Sequence, residues 1–384
     1  MPARLPSARA TTAALAILAS LAAIVPAMPG AALSPSPSVA PSASPCAVPP
    51  SAAASPPAAP SPGPSASPAP VDPCPRPAAL DLGEDGRLTV LVLGTDYRDG
   101  LGGERTDAII VMSLDPVTHR MVAASIPRDT SFFPRANGHT SGELRVNGLY
   151  DRYRDDALPH DQVDPKAIAR FQRDVAAALG IEIDYHILTR FGGFTNLVDA
   201  LGGIHVDIPA TIVDDFIAQT GALFPQATDY PLKGDKDCTD RKPCHNPLLY
   251  ARSRHGTVGD GYNSDFERSR RQQHLIVSAM QGALAAGFTD DQVADLLRVV
   301  GHYAWTDLPL TVEAAREAMA LSEGVTLADT DSIVFGPRRW AYEDSTTPDY
   351  SFRLRVDDVR AWMASHLGIT TASPSPEPSA SPAA

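Results

Sequence analysis

The chain has 384 residues, of which 45 are acidic and 32 are basic, so its formal net charge is −13. Proteins that bind nucleic acid carry clustered positive charge, and no basic DNA-reading helix is evident here, which argues against a nucleic-acid partner. The hydrophobic fraction of 43 % overstates the core, because much of it is alanine in segments too rich in Pro and Ser to fold.

The first segment has the form of a secretory signal. Arg4 and Arg9 precede an apolar, alanine-rich run from Thr11 to Met28, and small residues follow. The same pattern fits a short membrane anchor if the segment is not cleaved. We therefore assign residues 1–32 to a signal peptide or membrane anchor, and both alternatives place the rest of the protein in an extracytoplasmic position in the cell envelope.

Residues 33–80 are almost wholly Pro, Ser and Ala, and residues 369–384 have a similar composition. Such sequences bury no core, and their prolines favour an extended chain of about 3.1 Å per residue. We predict a disordered linker and a disordered tail. The linker is either a stalk that holds a folded domain away from the membrane or a passive connection.

Charged residues border three consecutive predicted strands. The apolar runs 88–93, 108–114 and 121–126 predict buried strands, and Asp96, Asp107 and Arg128 lie at their ends. Because strand ends in open α/β sheets bind ligands, these residues predict one shared site. The alternative is that the aspartates only form turns.

The next elements along the chain alternate between helices and strands. The patterns predict helices over 164–179 and 194–201, strands over 183–188 and 204–208, and a strand before Arg252. A long helix is predicted from Arg271 onward, followed by a helix (310–320), a strand (329–335) and a helix (356–367). Without a second linker, this alternation predicts one α/β domain over residues 81–368.

Five arginines lie between positions 252 and 271 of this acidic protein, namely Arg252, Arg254, Arg268, Arg270 and Arg271. Guanidinium groups bind phosphate and pyrophosphate well, since each can give two parallel hydrogen bonds to anionic oxygens. The alternative is a solvated helix face with ion pairs to Asp260, Asp265 and Glu267.

Cys238 and Cys244 are spaced for a small disulfide-closed loop, which would fit an oxidising compartment. A metal site that also uses His245 is the alternative, but it falls short of four ligands. The sequence does not decide whether Cys46 and Cys74 pair. His255, beside the arginines, is interpreted as a packing or supporting residue.

Seven motifs in order resemble the LytR-CpsA-Psr family of cell-wall enzymes. They are Gly94-Thr95-Asp96, Arg105-Thr106-Asp107, Ser125-Ile126-Pro127-Arg128-Asp129, Arg145-Val146-Asn147, the run 197–203, Tyr250-Ala251-Arg252-Ser253-Arg254, and Asp265-x-x-Arg268-x-x-Arg271-Gln272-Gln273. The resemblance is close over 88–284 and looser to 367. The chain departs from the family at Asn246-Pro247-Leu248-Leu249, where we expect Gly-x-x-Ala-Leu.

The resemblance implies a phosphotransferase that moves an anionic glycopolymer from a polyprenyl-pyrophosphate carrier onto peptidoglycan. It implies Asp96 and Asp107 as ligands of Mg²⁺, a cation that takes one or two carboxylates plus phosphate oxygens. The implied catalytic residues are Arg105, Arg128, Arg254 and Asp265, the last either orienting an arginine or acting as a base. The implied substrate-binding residues are Arg252, Arg268, Arg271 and Gln272.

The fold that we expect is a single three-layer α-β-α domain with a mixed central sheet. In the family, a hydrophobic channel between sheet and helices holds the polyprenyl tail, and the resemblance points to Phe191, Phe194, Leu197, Val198 and Leu201 as lining it. From the residues alone, ordinary core is the alternative. The sequence does not choose among teichoic acid, capsule and arabinogalactan.

Phosphoryl transfer needs positioning and charge neutralisation more than covalent chemistry, so a metal and several arginines suffice. Two other functions stay open. The protein could bind wall polymer or polyprenyl phosphate without turnover, or it could be a membrane-linked transcriptional regulator, which the charge disfavours.

Overall fold

The computed structural model describes residues 80–97, 103–190, 193–217, 221–234, 238, 242–347 and 350–369. The predicted signal or anchor segment, nearly all of the linker and the tail lie outside these residues. Within the described part, no helix combines the length and the apolar character needed to cross a membrane.

The central sheet has six strands in the order β11-β4-β1-β2-β3-β12. Their bounds are β1 Leu88–Thr95, β2 Thr106–Leu114, β3 Met121–Ser125, β4 Tyr185–Arg190, β11 Ala304–Thr306 and β12 Thr330–Val334. Every residue of β1 and β3 is buried, as expected for continuous apolar strands covered on both faces. Strands β1, β2 and β3 are antiparallel in turn, whereas β4 runs parallel to β1 and β12 parallel to β3. The predicted mixed sheet is confirmed.

Helices cover both faces of this sheet. Successive residues of β1 alternate between two apolar clusters, with Val90 and Val92 in one and Leu91 and Leu93 in the other. The first cluster packs against helices α5 (Asp265–Ala286), α6 (Asp290–Tyr303) and α7 (Val312–Leu321). The second packs against α1 (Leu149–Tyr153), α2 (Pro165–Leu179) and α8 (Val356–Leu367). The three-layer α-β-α architecture is therefore confirmed.

A third apolar cluster supports the smaller elements beside the main sheet. These are α3 (Gly193–Ala200), α4 (Pro247–Arg252), the pair β5 (Ile204–Ile208) and β8 (Ala227–Leu232), and a sheet of order β10-β9-β6-β7. In that sheet β6 is Ile212–Asp214, β7 Ala222–Phe224, β9 Thr257–Val258 and β10 Gly261–Tyr262. Strands β13 (Ala341–Glu343) and β14 (Phe352–Leu354) form a separate two-stranded sheet. None of these short strands except β5 has a pattern that predicted it.

Two local predictions were wrong. Helix α5 begins at Asp265 rather than Arg271, because the Ser264 side chain accepts the backbone N–H of Glu267 and caps the helix six residues earlier. The segment before Arg252 is helix α4, not a strand. Asn246 caps it by accepting the N–H of Leu249, and Pro247 occupies the first turn, where a missing N–H costs nothing.

Phe194, Leu197 and Val198 lie in the buried clusters, which supports the interpretation of these positions as core. Phe191 lies outside the described residues, and the polyprenyl channel stays a prediction.

The predicted Cys238–Cys244 disulfide is confirmed, with Cα atoms 5.3 Å apart. His245 stacks on Tyr230 and bonds the carbonyl of Pro231. Cys46 and Cys74 lie outside the described residues.

Candidate active site

The site lies at one edge of the central sheet. Because β2 is antiparallel to β1 and β3, the end of β1, the start of β2 and the end of β3 meet at this edge, which brings together Asp96, Asp107 and Arg128. Asp107 sits in a β-bulge: Gly94 pairs with Ala108 and Thr95 with Thr106, so Asp107 has no partner on β1. Bulges re-aim side chains beside functional sites, and this one sets Asp107 toward Arg128.

Arg128 is held among carboxylates. Its Nη1 donates to Asp107 Oδ2 at 2.8 Å, and its Nε lies 3.5 Å from Asp129 Oδ2 and 3.6 Å from Asp265 Oδ1. Burial lowers the pKa of Arg128, but the charges of Asp107, Asp265 and Asp129 outweigh it and leave that pKa raised. The guanidinium is therefore a fixed positive charge at any working pH.

Two further arginines reach Asp265 from α5 and from the chain after α4. Arg268 Nη2 lies 3.0 Å from Asp265 Oδ2 and also donates to the backbone carbonyl of Asp107 at 3.0 Å. Arg254 Nη1 lies 3.7 Å from Asp265 Oδ1. Arg128, Arg254 and Arg268, which come from distant parts of the chain, thus converge on Asp265.

The cluster carries more positive than negative charge. Arg128, Arg254 and Arg268 face Asp107 and Asp265, whereas Asp129 is also paired with Arg145 at 3.0 Å. Burial lowers the pKa of Arg268. Among the described atoms, Arg128 Nε, Arg268 Nε and Asp265 Oδ1 are buried without a hydrogen-bond partner. The two Nε–H groups are donors whose burial costs stability unless a ligand satisfies them, so the arginine side of the site suits an anion.

Arg271 and Gln272 donate hydrogen bonds to the backbone that precedes Arg254. Arg271 is 7 % exposed, and its guanidinium donates to the carbonyls of Tyr250 and Ser253 and to Asn263 Oδ1. Burial lowers the pKa of Arg271 to about 10. Gln272 donates to the carbonyl of Ala251 at 3.2 Å. Both side chains therefore brace the backbone that leads to Arg254.

Asp96 and Arg105 face each other at the same edge. Asp96 Oδ1 accepts the backbone N–H of Arg105 at 2.8 Å, and the Asp96 N–H donates to the Arg105 carbonyl at 3.0 Å. This exchange joins the two chain segments just beyond β1 and β2. The Arg105 side chain is exposed, and Arg252, the last residue of α4, is half-buried.

An ion pair that the sequence did not single out lies next to the start of β2. Glu104 is fully buried and accepts two hydrogen bonds of 2.9 Å from Arg190, which also stacks on Tyr97 at 3.8 Å. Thr95 donates to the same carboxylate at 2.6 Å. The signal in the sequence was Arg190 at the end of β4, because a buried charge at that position needs an oppositely charged partner.

The donor set fits Mg²⁺ only in an open form. Among the described residues, no group of three or more His, Cys, Asp or Glu side chains forms a metal cluster. Asp107 Oδ2 is taken by Arg128, while Oδ1 meets Asn147 Nδ2 only at 3.5 Å. A cation at this edge would therefore take most of its ligands from phosphate and water.

The chain belongs to the LytR_cpsA_psr family, whose model matches residues 69–335. Among curated proteins, TagU of Halalkalibacterium halodurans, a polyisoprenyl-teichoic acid–peptidoglycan teichoic acid transferase, is 27 % identical over 61 % of this chain and 66 % of its own length. An uncharacterized Staphylococcus aureus protein is 26 % identical over 64 % of this chain and 54 % of its own length. This chain thus spans less than two thirds of both relatives. Regulatory protein MsrR of S. aureus is 24 % identical over 71 % of each chain.

The fold is also that of solved structures. Bacillus subtilis TagV superposes with a TM-score of 0.53 at 21 % identity, over 75 % of this chain and all of TagV. Protein gbs0355 of Streptococcus agalactiae gives 0.52 at 19 % identity, over 75 % of this chain and 90 % of that one. At these identities the likeness establishes the fold alone.

Proposed function

We propose that this protein is an extracytoplasmic phosphotransferase that moves an anionic glycopolymer from a polyprenyl-pyrophosphate carrier onto a sugar hydroxyl of peptidoglycan. The observation that carries the proposal is the convergence of Arg128, Arg254 and Arg268 on Asp265, beside Asp107. The name of the TagU relative, which describes the transfer of teichoic acid to peptidoglycan, supports the same chemistry.

In the proposed reaction, the acceptor hydroxyl oxygen forms a bond to the phosphorus that carries the glycopolymer. The bond from that phosphorus to the bridging oxygen breaks, polyprenyl phosphate leaves with the electron pair, and the hydroxyl proton passes to solvent. Arg128 and Arg254 would neutralise the two phosphates, and the buried Arg268 would add a third fixed charge from the side of α5. Positive groups placed where charge develops supply most of the rate in phosphoryl transfer.

Mg²⁺, held by Asp96 and Asp107, would neutralise charge on the phosphate oxygens when bound. We assign Asp265 the orienting role, because both of its oxygens face arginines. Arg271 and Gln272 brace the segment before Arg254, and their contact with substrate stays a prediction. Arg105 and Arg252 remain proposed phosphate contacts at the rim.

Asp265→Asn separates the orienting role from a base role. An orienting carboxylate leaves a reduced rate in the variant, whose pH profile keeps its wild-type shape. If Asp265 is instead the general base, the variant should lose the limb of the kcat pH profile that reports deprotonation of this carboxylate. A profile that loses this limb in the variant would overturn the orienting assignment.

The proposal is tested with a synthetic polyprenyl-pyrophosphate-linked oligosaccharide, isolated peptidoglycan and Mg²⁺. We expect release of polyprenyl phosphate and a new phosphodiester on the peptidoglycan, both seen by mass spectrometry. Tight binding of the donor without release would instead support the non-catalytic binding protein. If the protein neither binds the donor nor releases polyprenyl phosphate, both the transferase and the binding-protein proposals are contradicted.

A regulatory function has the name of the MsrR relative in its favour. The arginines of this site, however, face carboxylates and buried backbone rather than forming one exposed basic helix face. The proposal places the protein in the cell envelope. The polymer transferred is teichoic acid or another anionic glycan.

A further inference from the structure

Asp214 is a fully buried carboxylate at the end of β6, outside the set of residues predicted for the site. Its Oδ2 accepts the Ser253 hydroxyl at 2.7 Å and the backbone N–H groups of Arg254 and His255 at 3.0 and 3.1 Å. Its Oδ1 accepts the N–H of Phe216 at 3.0 Å. Three donors that meet at one oxygen fix the backbone of residues 253–255.

The backbone of this turn also lies in close contact with β6. Gly256 has a φ of +79°, and a Cβ at this position would lie 2.0 Å from the carbonyl oxygen of Val213. Only glycine fits such an approach. The turn is thus set on β6 at two consecutive points, the Asp214 carboxylate and the contact between Gly256 and Val213.

A chain of hydrogen bonds links Asp214 to the buried Arg271. Arg271 Nη1 donates to Asn263 Oδ1 at 3.1 Å, and Asn263 Nδ2 donates to Ser253 Oγ at 2.7 Å. Ser253 Oγ in turn donates to Asp214. Arg271 also donates directly to the Ser253 carbonyl. The negative charge of Asp214 and the positive charge of Arg271 therefore both hold the turn like a clamp, and both are kept out of solvent.

Arg254 is held mainly through its backbone, whereas the other arginines of the cluster are held by their side-chain bonds. Arg128 and Arg268 form bonds of 2.8 and 3.0 Å to carboxylates, and their side chains are 17 % and 6 % exposed. The Arg254 side chain is 37 % exposed and reaches Asp265 only at 3.7 Å. Its position is set largely by its backbone, which Asp214 holds.

We propose that Asp214 is a positioning residue that places Arg254 to bind a phosphate of the diphosphate substrate. The inference rests on the proposed function for its substrate, but the clamp predicts anion binding whether or not transfer occurs. Its carboxylate contacts no reacting atom and acts only through the turn 253–255.

The test is a double-mutant cycle read by the binding of inorganic pyrophosphate, measured by calorimetry. Arg254→Ala removes a charge-assisted contact, and we expect the dissociation constant to rise at least about tenfold. Asp214→Asn should raise it comparably, because the amide cannot accept all of the converging donors. Combined with Arg254→Ala, Asp214→Asn should add no further loss. Losses that multiply in the double variant would overturn the proposal.

Two variants keep the experiment decisive. Ser253→Ala removes the hydroxyl that bonds both Asp214 and Asn263 but keeps the Asp214 charge, so it tests the clamp if Asp214→Asn does not fold. It should weaken pyrophosphate binding with its thermal melt preserved, and unchanged binding would count against the clamp. Asp215→Asn alters the exposed neighbour of Asp214 and should leave binding unchanged. If the wild-type protein binds pyrophosphate but transfers no polymer, the proposed function fails and the clamp stands.

Discussion

Arg128 and Asp107, 21 residues apart in the chain, form a hydrogen-bonded ion pair of 2.8 Å at the edge where β2 begins and β3 ends. The bulge at Asp107 makes the pair possible, since a regular ladder would place that side chain opposite a residue of β1. The pair holds one end of the guanidinium and leaves its Nε buried without a hydrogen-bond acceptor among the described atoms.

Arg128→Ala should lower the transfer rate by roughly 10²–10³-fold, as is typical when one group that stabilises developing charge is removed. Arg128→Lys should restore little, because an ammonium cannot reproduce the planar fork. Polyprenyl phosphate release measures both. Arg270→Ala is the matched control, since Arg270 is exposed on α5 and pairs with Glu267. A rate near wild type in Arg128→Ala would contradict the role of this arginine.

The buried pair of Glu104 and Arg190 should matter for stability. Glu104→Gln leaves the Arg190 charge uncompensated, and loss of one partner of a buried pair costs about 3–5 kcal/mol in the free energy of unfolding. Urea denaturation measures this loss. The double variant with Arg190→Met should recover part of it, because the stranded charge is gone. Asp295→Asn, at an exposed ion pair with Arg298, should change little. A comparable loss in both single carboxylate variants would contradict the expectation.

Asp184 should make stability depend on pH. Burial raises its pKa from 3.8 to about 6, with Asp85 and Glu182 adding to the rise and hydrogen bonds from Thr89 and Gly83 opposing it. The folded state therefore binds this proton more tightly than the unfolded state, so this contribution to stability is full below pH 4 and is lost as the pH rises to about 6.

Asp184→Asn should remove this decline. Because the carboxyl is half-buried and screened by solvent, we expect a gain of no more than about 1–2 kcal/mol in the free energy of unfolding at pH 7, relative to the wild type. Urea unfolding at pH 4.5 and pH 7 measures it. Equal pH dependence in the two proteins would show that Asp184 does not titrate in this range.

Removal of divalent metal should stop transfer. With EDTA, the phosphates lose the cation proposed at Asp96 and Asp107, and added Mg²⁺ should restore the rate. Asp96→Asn should raise the Mg²⁺ concentration needed for half of the maximal rate, since it removes one carboxylate ligand. Full activity in EDTA would show that the arginines alone suffice and that the aspartates hold no metal.

The sequence predicted the central strands well because their apolar runs have no alternative to burial. It also predicted that Arg128 lies beside Asp107, since both were placed at neighbouring strand ends. Arg271 was expected with them, but its guanidinium donates to the carbonyls of Tyr250 and Ser253. The helix α2 was predicted with both ends, because Asp164 caps its start and Gly180, with a φ of 69°, ends it.

Other features depend on contacts that no local pattern encodes. Arg271 looks like any arginine on a helix, and only the packing of α4 against α5 shows that Asn263 and two carbonyls take its donors. Asp214 ends a strand of three residues, too short to predict, so its bonds to the turn 253–255 were not foreseeable. The capping of α4 by Asn246 overrode the expected strand.

The most direct measurement of the central claim is a crystal structure with a bound polyprenyl-pyrophosphate analogue. We expect the diphosphate at the sheet edge, with oxygens of its two phosphates within hydrogen-bond distance of Arg128 and Arg254 and the buried Nε of Arg268 facing it. A diphosphate bound away from Asp107 and Asp265, or contacting none of these arginines, would contradict the account.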